Sequence, residues 1–411
     1  MGAFLFKFVH INNEVCMNYI LFDDQAWNNM LPLTFTRPVC ELRAGILTVS
    51  EKWQKFLKSP ISYLTQEYLQ VKYELITAEE NILINGSLIP DAELVNAVNQ
   101  LELNEALVAN SIILAIKLDK KKAATFRGNQ TEPEKLKEYT SNYHKINWPW
   151  EIFKNNDEFI RADFKLITEG RKSAAINSSN NIIESENIFV EEGARIEFAS
   201  LNASTGPIYI GKDAEIMEGS LVRGPFALCE HSTLKMGAKI YGPTTIGPHS
   251  KVGGEVNNSV IFGYSNKAHD GFIGNSVIGE WCNLGADTNN SNLKNNYAEV
   301  RLWNYESARF IKTGLQFCGL IMGDHSKCAI NTMFNTGTVV GVNANIFGEG
   351  FPRNFIPSFS WGGAHGFTVY GIDKAFEVAE IVMSRRGLAL DDKEKQILRY
   401  VFEKTSKYRM F

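Results

Sequence analysis

The sequence predicts an α/β domain, then a parallel β-helix, then a short α-helical cap. Strand-like and helix-like segments alternate over residues 17–165, which is typical of an α/β domain with a mostly parallel sheet. Over residues 166–365, an aliphatic residue followed by Gly recurs at intervals of roughly six residues, which indicates the hexapeptide coils of a β-helix. Helical spacing of apolar residues returns over residues 366–411.

The α/β domain is expected to begin at Met17, with residues 1–16 as an amino-terminal extension before the natural start. Apolar and β-branched runs predict strands over 18–22, 61–64, 81–85 and 106–115. Helical spacing predicts helices over 46–57 and 91–101, the second with Asp91 as its N-cap. Because ligands of such sheets lie beyond the carboxyl ends of the strands, a site is expected there.

The β-helix is predicted from aliphatic–Gly pairs such as Ile210-Gly211, Ile246-Gly247, Ile273-Gly274 and Val340-Gly341. In such a solenoid the aliphatic side chain points inward, and Gly or Asn takes the tight corner, where a positive φ costs little. We expect residues 170–180 to be a linker and the aromatic run 351–361 to be a loop that leaves the solenoid. Two helices, over 373–386 and 391–407, are expected to cap the open end of the last coil.

Composition excludes several classes of protein. The net charge is −4, and no tract rich in Lys and Arg is present, which argues against a nucleic-acid-binding protein. The six cysteines form no C-x-x-C pair, so we expect reduced thiols in a cytoplasmic protein. No apolar run reaches the roughly 18 residues that a membrane span needs, so no membrane partner is expected.

Several segments resemble one known family. LPLTFTRP (31–38), LINGS (83–87) and NWPWEIFKNND (147–157) resemble segments of sugar-phosphate nucleotidyltransferases, and GPFA (224–227) matches an acetyltransferase segment. Together with the β-helix, the chain resembles the bifunctional N-acetylglucosamine-1-phosphate uridyltransferase / glucosamine-1-phosphate acetyltransferases (GlmU-like). The resemblance implies a nucleotidyltransferase-like α/β domain followed by a left-handed β-helix, and a homotrimer with sites between adjacent β-helices.

The α/β domain departs from this family where the family binds nucleotide and metal. In the family, a Gly-x-Gly-Thr-Arg loop binds the triphosphate through its backbone amides. In this sequence Trp27-Asn28-Asn29 occupies the position of the Gly-Thr-Arg residues. The two aspartates that hold Mg²⁺ in the family correspond to Ser87 and Lys145, so Mg²⁺ is expected only if this domain is active.

A substitute site near the same strand end remains open in the sequence. Arg37 and Arg43 are its candidate substrate-binding residues, with Asp23, Asp24 and Glu41 beside them. The alternative is that Arg37 and Glu41 form an ion pair that only fixes a turn.

The β-helix keeps more of the family pattern. His269, Phe272 and the following Ile-Gly pair reproduce the spacing around the acetyltransferase histidine, and Asn283-Leu284-Gly285-Ala286-Asp287-Thr288 resembles the next signature. Ser291-Asn292-Leu293-Lys294 resembles the loop that follows, which makes Asn292 and Lys294 candidate substrate-binding residues. The family arginine that contacts sugar phosphate has no counterpart after GPFA, and Arg223, Lys235 or Lys239 are candidates to replace it.

The chemistry of acyl transfer agrees with these positions. Transfer from a thioester to an amine needs a base that titrates near neutral pH, and His269 is the right group. It also needs donors for a tetrahedral oxyanion, which the amide of Ala286 offers, while Asn283 is suited to bind sugar hydroxyls. The alternatives are that His269 is an ordinary surface histidine, or that His325 is the base. Asp270 either orients the ring of His269 or is simply solvated.

The last coils are expected to bind acetyl-coenzyme A, because terminal coils do so in the family. Gly337, Thr338 and Gly341 are small residues that would let the pantetheine arm lie close, and Arg353 would meet a coenzyme phosphate or form a surface salt bridge. The predicted function is therefore acetylation of an amino sugar 1-phosphate, most simply glucosamine-1-phosphate. The alternatives are nucleotidyl transfer (uridylyl or thymidylyl) in the α/β domain and sugar-nucleotide binding without catalysis.

Overall fold

The computed structural model describes residues 17–128 and 132–411, and the expected extension over 1–16 lies outside these ranges. The α/β domain contains eight strands and six helices within its described part. The strands are β1 Asn18–Phe22, β2 Ile61–Leu64, β3 Glu80–Asn85, β4 Leu88–Ile89, β5 Glu105–Ala109, β6 Ile112–Asp119, β7 Lys135–Glu138 and β8 His144–Lys145. The helices are α1 Ala26–Asn29, α2 Val49–Leu57, α3 Ala92–Asn99, α4 Lys120–Thr125, α5 Pro149–Lys154 and α6 Asn156–Thr168.

The main sheet of this domain is mixed. Its strand order is β2-β1-β3-β6-β5-β7, and β2, β1 and β3 are parallel while β6 runs antiparallel to both of its neighbours. The single strand expected over 106–115 is wrong, because the chain reverses at Asn110 and Ser111, which have φ values of +49° and +63°. Two consecutive residues with positive φ make the tight hairpin turn that joins β5 to β6.

Local capping explains where the helices begin. The side chain of Thr48 accepts a hydrogen bond from the amide of Glu51, and the carboxylate of Glu51 accepts one from the amide of Thr48, so α2 begins at Val49 rather than at residue 46. Asp91 accepts from the amide of Leu94, which confirms it as the N-cap of α3. Pro149 occupies the first position of α5, where its missing N–H costs nothing.

The rest of the chain forms a left-handed parallel β-helix of about ten coils, as expected. Most coils contribute one strand to each of three faces, and the last strand of face 3 runs antiparallel to the strand before it. Face 1 contains Asn181–Ile183, Ser200–Asn202, Leu221–Arg223, Lys239–Tyr241, Glu255–Asn257 and Phe272–Gly274, and Asn289–Asn290 pairs with Met333–Phe334 as a separate pair of strands. Face 2 contains Ile188–Val190, Ile208–Ile210, Phe226–Leu228, Thr244–Ile246, Val260–Ile261, Val277–Ile278, Leu320–Met322, Thr338–Val340 and Phe355–Ile356. Face 3 contains Arg195–Ile196, Glu215–Ile216, Thr233–Leu234, Lys251–Val252, Asn266–Lys267, Asn283–Leu284, Lys327–Cys328, Asn345–Ile346, Ser360–Gly363 and Gly366–Val369. A hairpin, Arg301–Asn304 with Arg309–Lys312, is inserted between two coils.

The corner between faces 2 and 3 differs from the expected Gly or Asn. His231, His249, Tyr264, Trp281 and His325 occupy it with φ values between +55° and +61°. Their rings stack in sequence along the solenoid, with centroids 4.2–6.2 Å apart. Stacking of large rings offsets the cost of placing residues with a Cβ in the left-handed region. We call this row the corner ring stack.

The α/β domain packs along face 2. The helix α6 contacts the strand Thr244–Ile246, and Asn156 at its start donates to the carbonyl oxygen of Pro243 at 3.0 Å and to Thr245 at 3.2 Å. The outward residues Val260, Val277 and Ile321 of face 2 are fully buried and belong to the same apolar core as the α/β domain. Face 2 is therefore an internal surface, whereas face 1 and most of face 3 remain open.

The carboxyl-terminal helices are α7 Ile372–Ser384 and α8 Asp392–Lys404, as predicted. Helix α8 joins the core of the α/β domain, since Lys72 pairs with Glu394 at 2.7 Å and Tyr68 stacks on Tyr400.

The expectation that 351–361 leaves the solenoid is wrong, because this run supplies the face 2 strand at 355–356 and begins the face 3 strand at 360. Among the described helices, none combines the length and the hydropathy that crossing a membrane requires.

Candidate functional site

One open groove lies at the corner between faces 3 and 1, and we call it the corner groove. It has a volume of about 750 Å³. It is lined by Met217, Lys235, Met236, Gly254, Ala268, His269, Asp270, Ala286 and Asp287. Three residues predicted for the site, Lys235, His269 and Ala286, are therefore on one surface.

The coil geometry explains how these residues come together. Lys235, His269 and Ala286 each follow a face 3 strand, and those strands are stacked in parallel register. Neighbouring strands of a sheet lie about 4.8 Å apart, so Lys235 and His269 are separated by two coils, or about 10 Å. The coil between them carries Gly253 and Gly254, where a side chain at Gly254 would meet the carbonyl oxygen of His269 at 2.9 Å. The two glycines therefore let this coil lie close to the backbone of the turn that carries His269.

His269 is exposed, and its imidazole makes no hydrogen bond, ion pair or ring contact with another residue within 17–128 and 132–411. A free imidazole at the rim of a groove is available to exchange protons with a ligand. No hydrogen bond joins Asp270 to the ring, so Asp270 does not orient it in this structure.

A buried lysine holds the turn that carries His269. Lys267 is only 2% exposed, because its side chain occupies an inward position of face 3 where Leu234, Val252 and Leu284 stand in neighbouring coils. Its ammonium donates to the carbonyl oxygens of His269 at 2.5 Å and Asp270 at 2.9 Å. Burial lowers the pKa of Lys267 to about 8. Lys267 was missed in the sequence, although an ionisable residue at an inward aliphatic position of the repeat is a detectable signal.

The amides of the Ala286 corner are only partly free. The Gly285 amide donates to the carbonyl oxygen of Cys328 at 3.0 Å, and the Asp287 amide donates to that of Asp270 at 3.0 Å. Both belong to the ladder of hydrogen bonds between coils, so they are not oxyanion donors. The amide of Ala286 lies between them at the edge of the groove.

Other predicted residues lie on other surfaces. Asn283 is on face 3 and lines a separate groove beside α7, so it does not share a cavity with His269. Lys239 is on face 1, in an open groove of about 770 Å³ that also contains Arg223 and Tyr241. The structure therefore assigns Lys235, and not Lys239, to the surface that contains His269.

Phe272 and Asn292 do meet. Both approach Gly274, where a Cβ would lie 2.5 Å from the Phe272 ring and 2.7 Å from the Asn292 amide nitrogen. Asn292 donates to the side chain of Asn275 at 2.8 Å, and Lys294 donates to the carbonyl oxygen of Glu299 at 3.1 Å. The side-chain nitrogens of Asn292 and Lys294 thus already donate hydrogen bonds within the chain.

The residues predicted to bind coenzyme do not form an open cradle. Thr338 is fully buried, and its hydroxyl donates to the carbonyl oxygen of Asn335. A Cβ at Gly337 would lie 2.7 Å from the carbonyl oxygen of Arg301 in the inserted hairpin, and one at Gly341 would meet the amide of Ser358 at 2.3 Å. Gly337 and Gly341 are small because chain segments cross close by, and Thr338 is buried, so the three residues do not leave room beside them for a pantetheine arm in this structure. Arg353 is exposed.

The strand end of the α/β domain contains an ion pair where the family holds metal. Lys145 lies on β8, which pairs with β4, and is directly beside Ser87. The two positions that correspond to the metal-binding aspartates of the family are therefore adjacent. Its ammonium lies 3.0 Å from the carboxylate of Asp24 and also donates to Asn147, and both charged side chains are buried. The Asn85 amide donates to Asp24 at 2.9 Å, and the Ser87 hydroxyl donates to Asn85.

Mg²⁺ does not fit these residues. The cation needs oxygen ligands, mainly carboxylates, and here one carboxylate is already neutralised by an ammonium. Within the described ranges, no group of three His, Cys, Asp or Glu side chains is arranged to hold a metal ion. The helix α1, which contains Trp27-Asn28-Asn29, stands where a phosphate-binding glycine loop would be.

The substitute site that includes Arg37 and Arg43 is not assembled. Both arginines are less than 10% exposed at the contact with the β-helix. Arg37 pairs with Glu280 at 3.1 Å and with Asp324, rather than with Glu41. Arg43 donates to the carbonyl oxygen of Ile46 and lies 3.9 Å from the sulfur of Cys229. Both predictions of substrate binding are corrected, because these guanidinium groups join the two parts of the chain.

The remaining acids of that region are also engaged. Asp23 accepts from the amide of Val39 at 2.9 Å and from the hydroxyl of Thr65, and burial raises its pKa to about 7. Glu41 accepts from the hydroxyl of Tyr63 at 2.9 Å. Each carboxyl group supports a loop at the strand end.

His325 is not a base for acyl transfer. It is 8% exposed and stacks on Trp281 in the corner ring stack. Burial lowers its pKa to about 3, so the neutral ring is too weakly basic to take up a second proton near neutral pH. It lines a cavity of about 30 Å³ beside Arg37 and Asp324, far smaller than a substrate.

Comparison with known proteins agrees with this architecture. Residues 19–172 match the family model described as Sugar nucleotidyl transferase. A bifunctional sugar-1-phosphate nucleotidylyltransferase/acetyltransferase of Sulfurisphaera tokodaii is 29% identical over 171 residues, which cover 41% of this chain and 40% of that protein. The bifunctional protein GlmU of Methanocaldococcus jannaschii is 36% identical over 89 residues, covering 22% of this chain and 21% of that protein.

The segments that match cover only part of this chain and only part of each relative. The chain spans less than half the length of the curated relatives it matches, all of which carry transferase names or the name GlmU. Among solved structures, the UDP-N-acetylglucosamine acyltransferase of Francisella novicida is 13% identical, with 58% of this chain and 89% of that chain covered and a TM-score of 0.27. The resemblance to GlmU-like proteins that the sequence motifs indicated is supported.

Proposed function

We propose that this chain is an acyltransferase that acylates the amine of an amino sugar phosphate in the corner groove. The observation that carries the proposal is the free, exposed imidazole of His269 on the same open groove as Lys235. A base and a lysine at chain positions about 10 Å apart match a substrate that has an amine at one end and a phosphate at the other. The names of the curated relatives support the same class of reaction.

The roles of the residues follow from the chemistry. The substrate ammonium first loses one proton to water, and as the neutral amine attacks the carbonyl carbon of the thioester, His269 accepts the second proton that the nitrogen gives up. The amide of Ala286 donates to the oxyanion that forms. The C–S bond then breaks, the amide product is left, and His269 returns the proton to the departing thiolate. Lys235 binds the phosphate, and Lys267 holds the turn of His269 in place.

The finer proposal is acetyl-coenzyme A as donor, glucosamine-1-phosphate as acceptor and a cytoplasmic homotrimer as the working form. The corner beside the groove carries the exposed apolar side chains of Phe198, Met236 and Ile330, each 67–69% exposed. A second copy packed on this corner would remove them from water and narrow the groove. The five described cysteines are free thiols, which suits a reducing compartment.

The experiment is a thiol-release assay on the full chain with acetyl-coenzyme A and a panel of amines. The panel contains glucosamine-1-phosphate, glucosamine and galactosamine-1-phosphate. The proposal expects turnover that depends on both the amine and the phosphate of the acceptor. Absence of thiol release with every member of the panel, from protein that melts cooperatively, would overturn it.

The second candidate function is binding of a nucleotide or sugar nucleotide by the α/β domain. The match of residues 19–172 to the nucleotidyl transferase model favours it over an unrelated role. The Asp24–Lys145 pair argues against Mg²⁺-dependent nucleotidyl transfer at this place. Ligand-dependent melting without pyrophosphate release would identify binding, whereas Mg²⁺-dependent release of pyrophosphate would identify transfer.

A further inference from the structure

A second groove lies between face 3 of the β-helix and helix α7, and we call it the α7 groove. It has a volume of about 400 Å³, within the range of small-molecule sites. It is lined by Lys251, Tyr264, Asn266, Trp281, Cys282, Asn283, Lys327, Val382, Arg385 and Arg386. It shares no lining residue with the corner groove, and the function proposed above gives it no role.

The lining of the α7 groove is strongly cationic. Four of its residues carry positive charge, and none is an aspartate or glutamate. Within the described parts of the chain, the side chains of Lys251, Arg385 and Arg386 form no ion pair and no hydrogen bond. Three neighbouring cations without counter-ions repel one another, and an anionic ligand would relieve that repulsion.

The fourth cation is held in place by the coil. Lys327 donates to the carbonyl oxygen of His325 at 2.8 Å, and burial lowers its pKa to about 8. An anion beside this ammonium would favour its charged form. The carboxylate of Glu280, at the next corner, is already paired with Arg37 and does not neutralise the groove.

The cations and amides form a regular row. Lys251, Asn266, Asn283 and Lys327 stand at matched positions of four successive strands of face 3. With about 4.8 Å between strands, the row extends about 14 Å from one lysine to the other. The amide of Asn266 donates to the side-chain oxygen of Asn283 at 2.8 Å, which leaves the amide nitrogen of Asn283 to face a ligand.

We infer that the α7 groove binds a ligand that carries a diphosphate, of the nucleoside diphosphate class. Two guanidinium groups from the end of α7 face a groove that has a lysine at each end of its row, so one lysine together with the two arginines provides donors for two adjacent phosphoryl groups. The amide of Asn283 and the rings of Tyr264 and Trp281 form the wall along which the organic part would lie. The row is long enough for both parts of such a molecule.

Calorimetric titration of the full chain tests this inference with three probes: inorganic pyrophosphate, UDP and inorganic phosphate. No acyl donor is present, so the result is independent of the proposed acyl transfer. We expect pyrophosphate and UDP to bind at least tenfold more tightly than phosphate, and the affinity to fall as salt is added. Equal affinity for all three probes, or no binding of either diphosphate, would overturn the inference. UDP tighter than pyrophosphate supports a nucleotide as the natural ligand.

Two variants locate the site. In R385A/R386A, the affinity for pyrophosphate and UDP is expected to fall at least tenfold, because the guanidinium donors are lost. The matched control is Arg195→Ala, which removes an exposed arginine from face 3 three coils away and should leave both affinities unchanged. Equal binding by R385A/R386A and wild type would place the anion elsewhere and contradict the inference. Because both changes are on exposed or half-buried side chains, folding should be kept, and thermal melting checks this.

Discussion

The guanidinium of Arg37 in the α/β domain lies 3.1 Å from the carboxylate of Glu280 in the β-helix. The same guanidinium also contacts Asp324 one coil further on, and the hydroxyl of Thr36 donates to that carboxylate at 2.6 Å. Arg37 and Asp324 are almost completely buried. These charges fix the position of the α/β domain along face 2. Arg37, which the sequence offered as a candidate for substrate binding, therefore joins the two parts of the chain.

Replacing Arg37 with Met should destabilise the protein by about 3–5 kcal/mol, because Asp324 would remain buried without its partner. Urea-induced unfolding measures the effect. The control is Lys393→Met, which breaks an exposed pair with Glu74 and should cost at most about 1 kcal/mol. Similar unfolding midpoints for the two variants would show that Arg37 does not join the domains energetically.

His325 should make the protein less stable in mild acid. Burial lowers its folded pKa to about 3, whereas an unfolded histidine titrates near 6.5. Between these values the unfolded chain binds a proton that the native ring does not, so stability is lost as pH falls below about 6.5. The loss from this group approaches about 1.4 kcal/mol per pH unit.

The variant His325→Asn tests this prediction, because Asn343 occupies the same corner one coil further on. The variant should lose less stability than wild type between pH 7.5 and pH 5. The control Tyr264→Asn removes a neighbouring ring of the same stack that does not titrate between pH 5 and pH 7.5, so it should keep the wild-type pH dependence. If His325→Asn and wild type lose stability equally over this range, the ring is not held neutral by burial.

Lys267 is a positioning residue for His269. Substitution by Met keeps the side-chain volume but removes the two hydrogen bonds to the His269 turn. Steady-state kinetics should show kcat reduced at least tenfold with little change in KM for the acceptor, while the melting temperature changes little. A lower melting temperature with unchanged kcat would mean that Lys267 only stabilises the coil.

The α/β domain should not use a divalent metal at its strand end. Titration of wild type with Mn²⁺ should show no binding there, because Lys145 already pairs with Asp24. The double variant S87D/K145D places two further carboxylates beside Asp24 and should bind Mn²⁺, whereas S87A/K145A should not. Binding of Mn²⁺ by wild type that is lost in Asp24→Ala would contradict this reading of the domain.

The periodic part of the fold was predictable from the sequence because each hexapeptide repeats the same inward aliphatic residue. The β-helix, the carboxyl-terminal helices and the Asp91 cap follow from local patterns of this kind. The hairpin at Asn110-Ser111 was missed because two apolar strands in succession look like one. The corner ring stack was missed because bulky residues with positive φ depend on stacking between coils, which no single repeat shows.

The site residues could be predicted from the sequence only where the repeat itself brings them together. Lys235, His269 and Ala286 share one groove because equivalent corners of a solenoid are superposed. Asn283 lies within a strand of face 3, whereas His269 and Ala286 lie in the corner that follows. The hexapeptide period alone does not distinguish a strand position from a corner position. Arg37, Arg43 and the glycines of the last coils were misassigned because packing between distant segments, which a sequence does not display, determines their surroundings.

The role of His269 as the base is measured by thiol release from acetyl-coenzyme A by wild type, His269→Ala and the control His365→Ala. His365 is an exposed histidine in a later turn of the β-helix, and its removal should change neither kcat nor KM. We expect a loss of about 10²–10⁴-fold in kcat for His269→Ala with an unchanged melting temperature. Equal turnover by wild type and His269→Ala would contradict the assignment of His269 as the base.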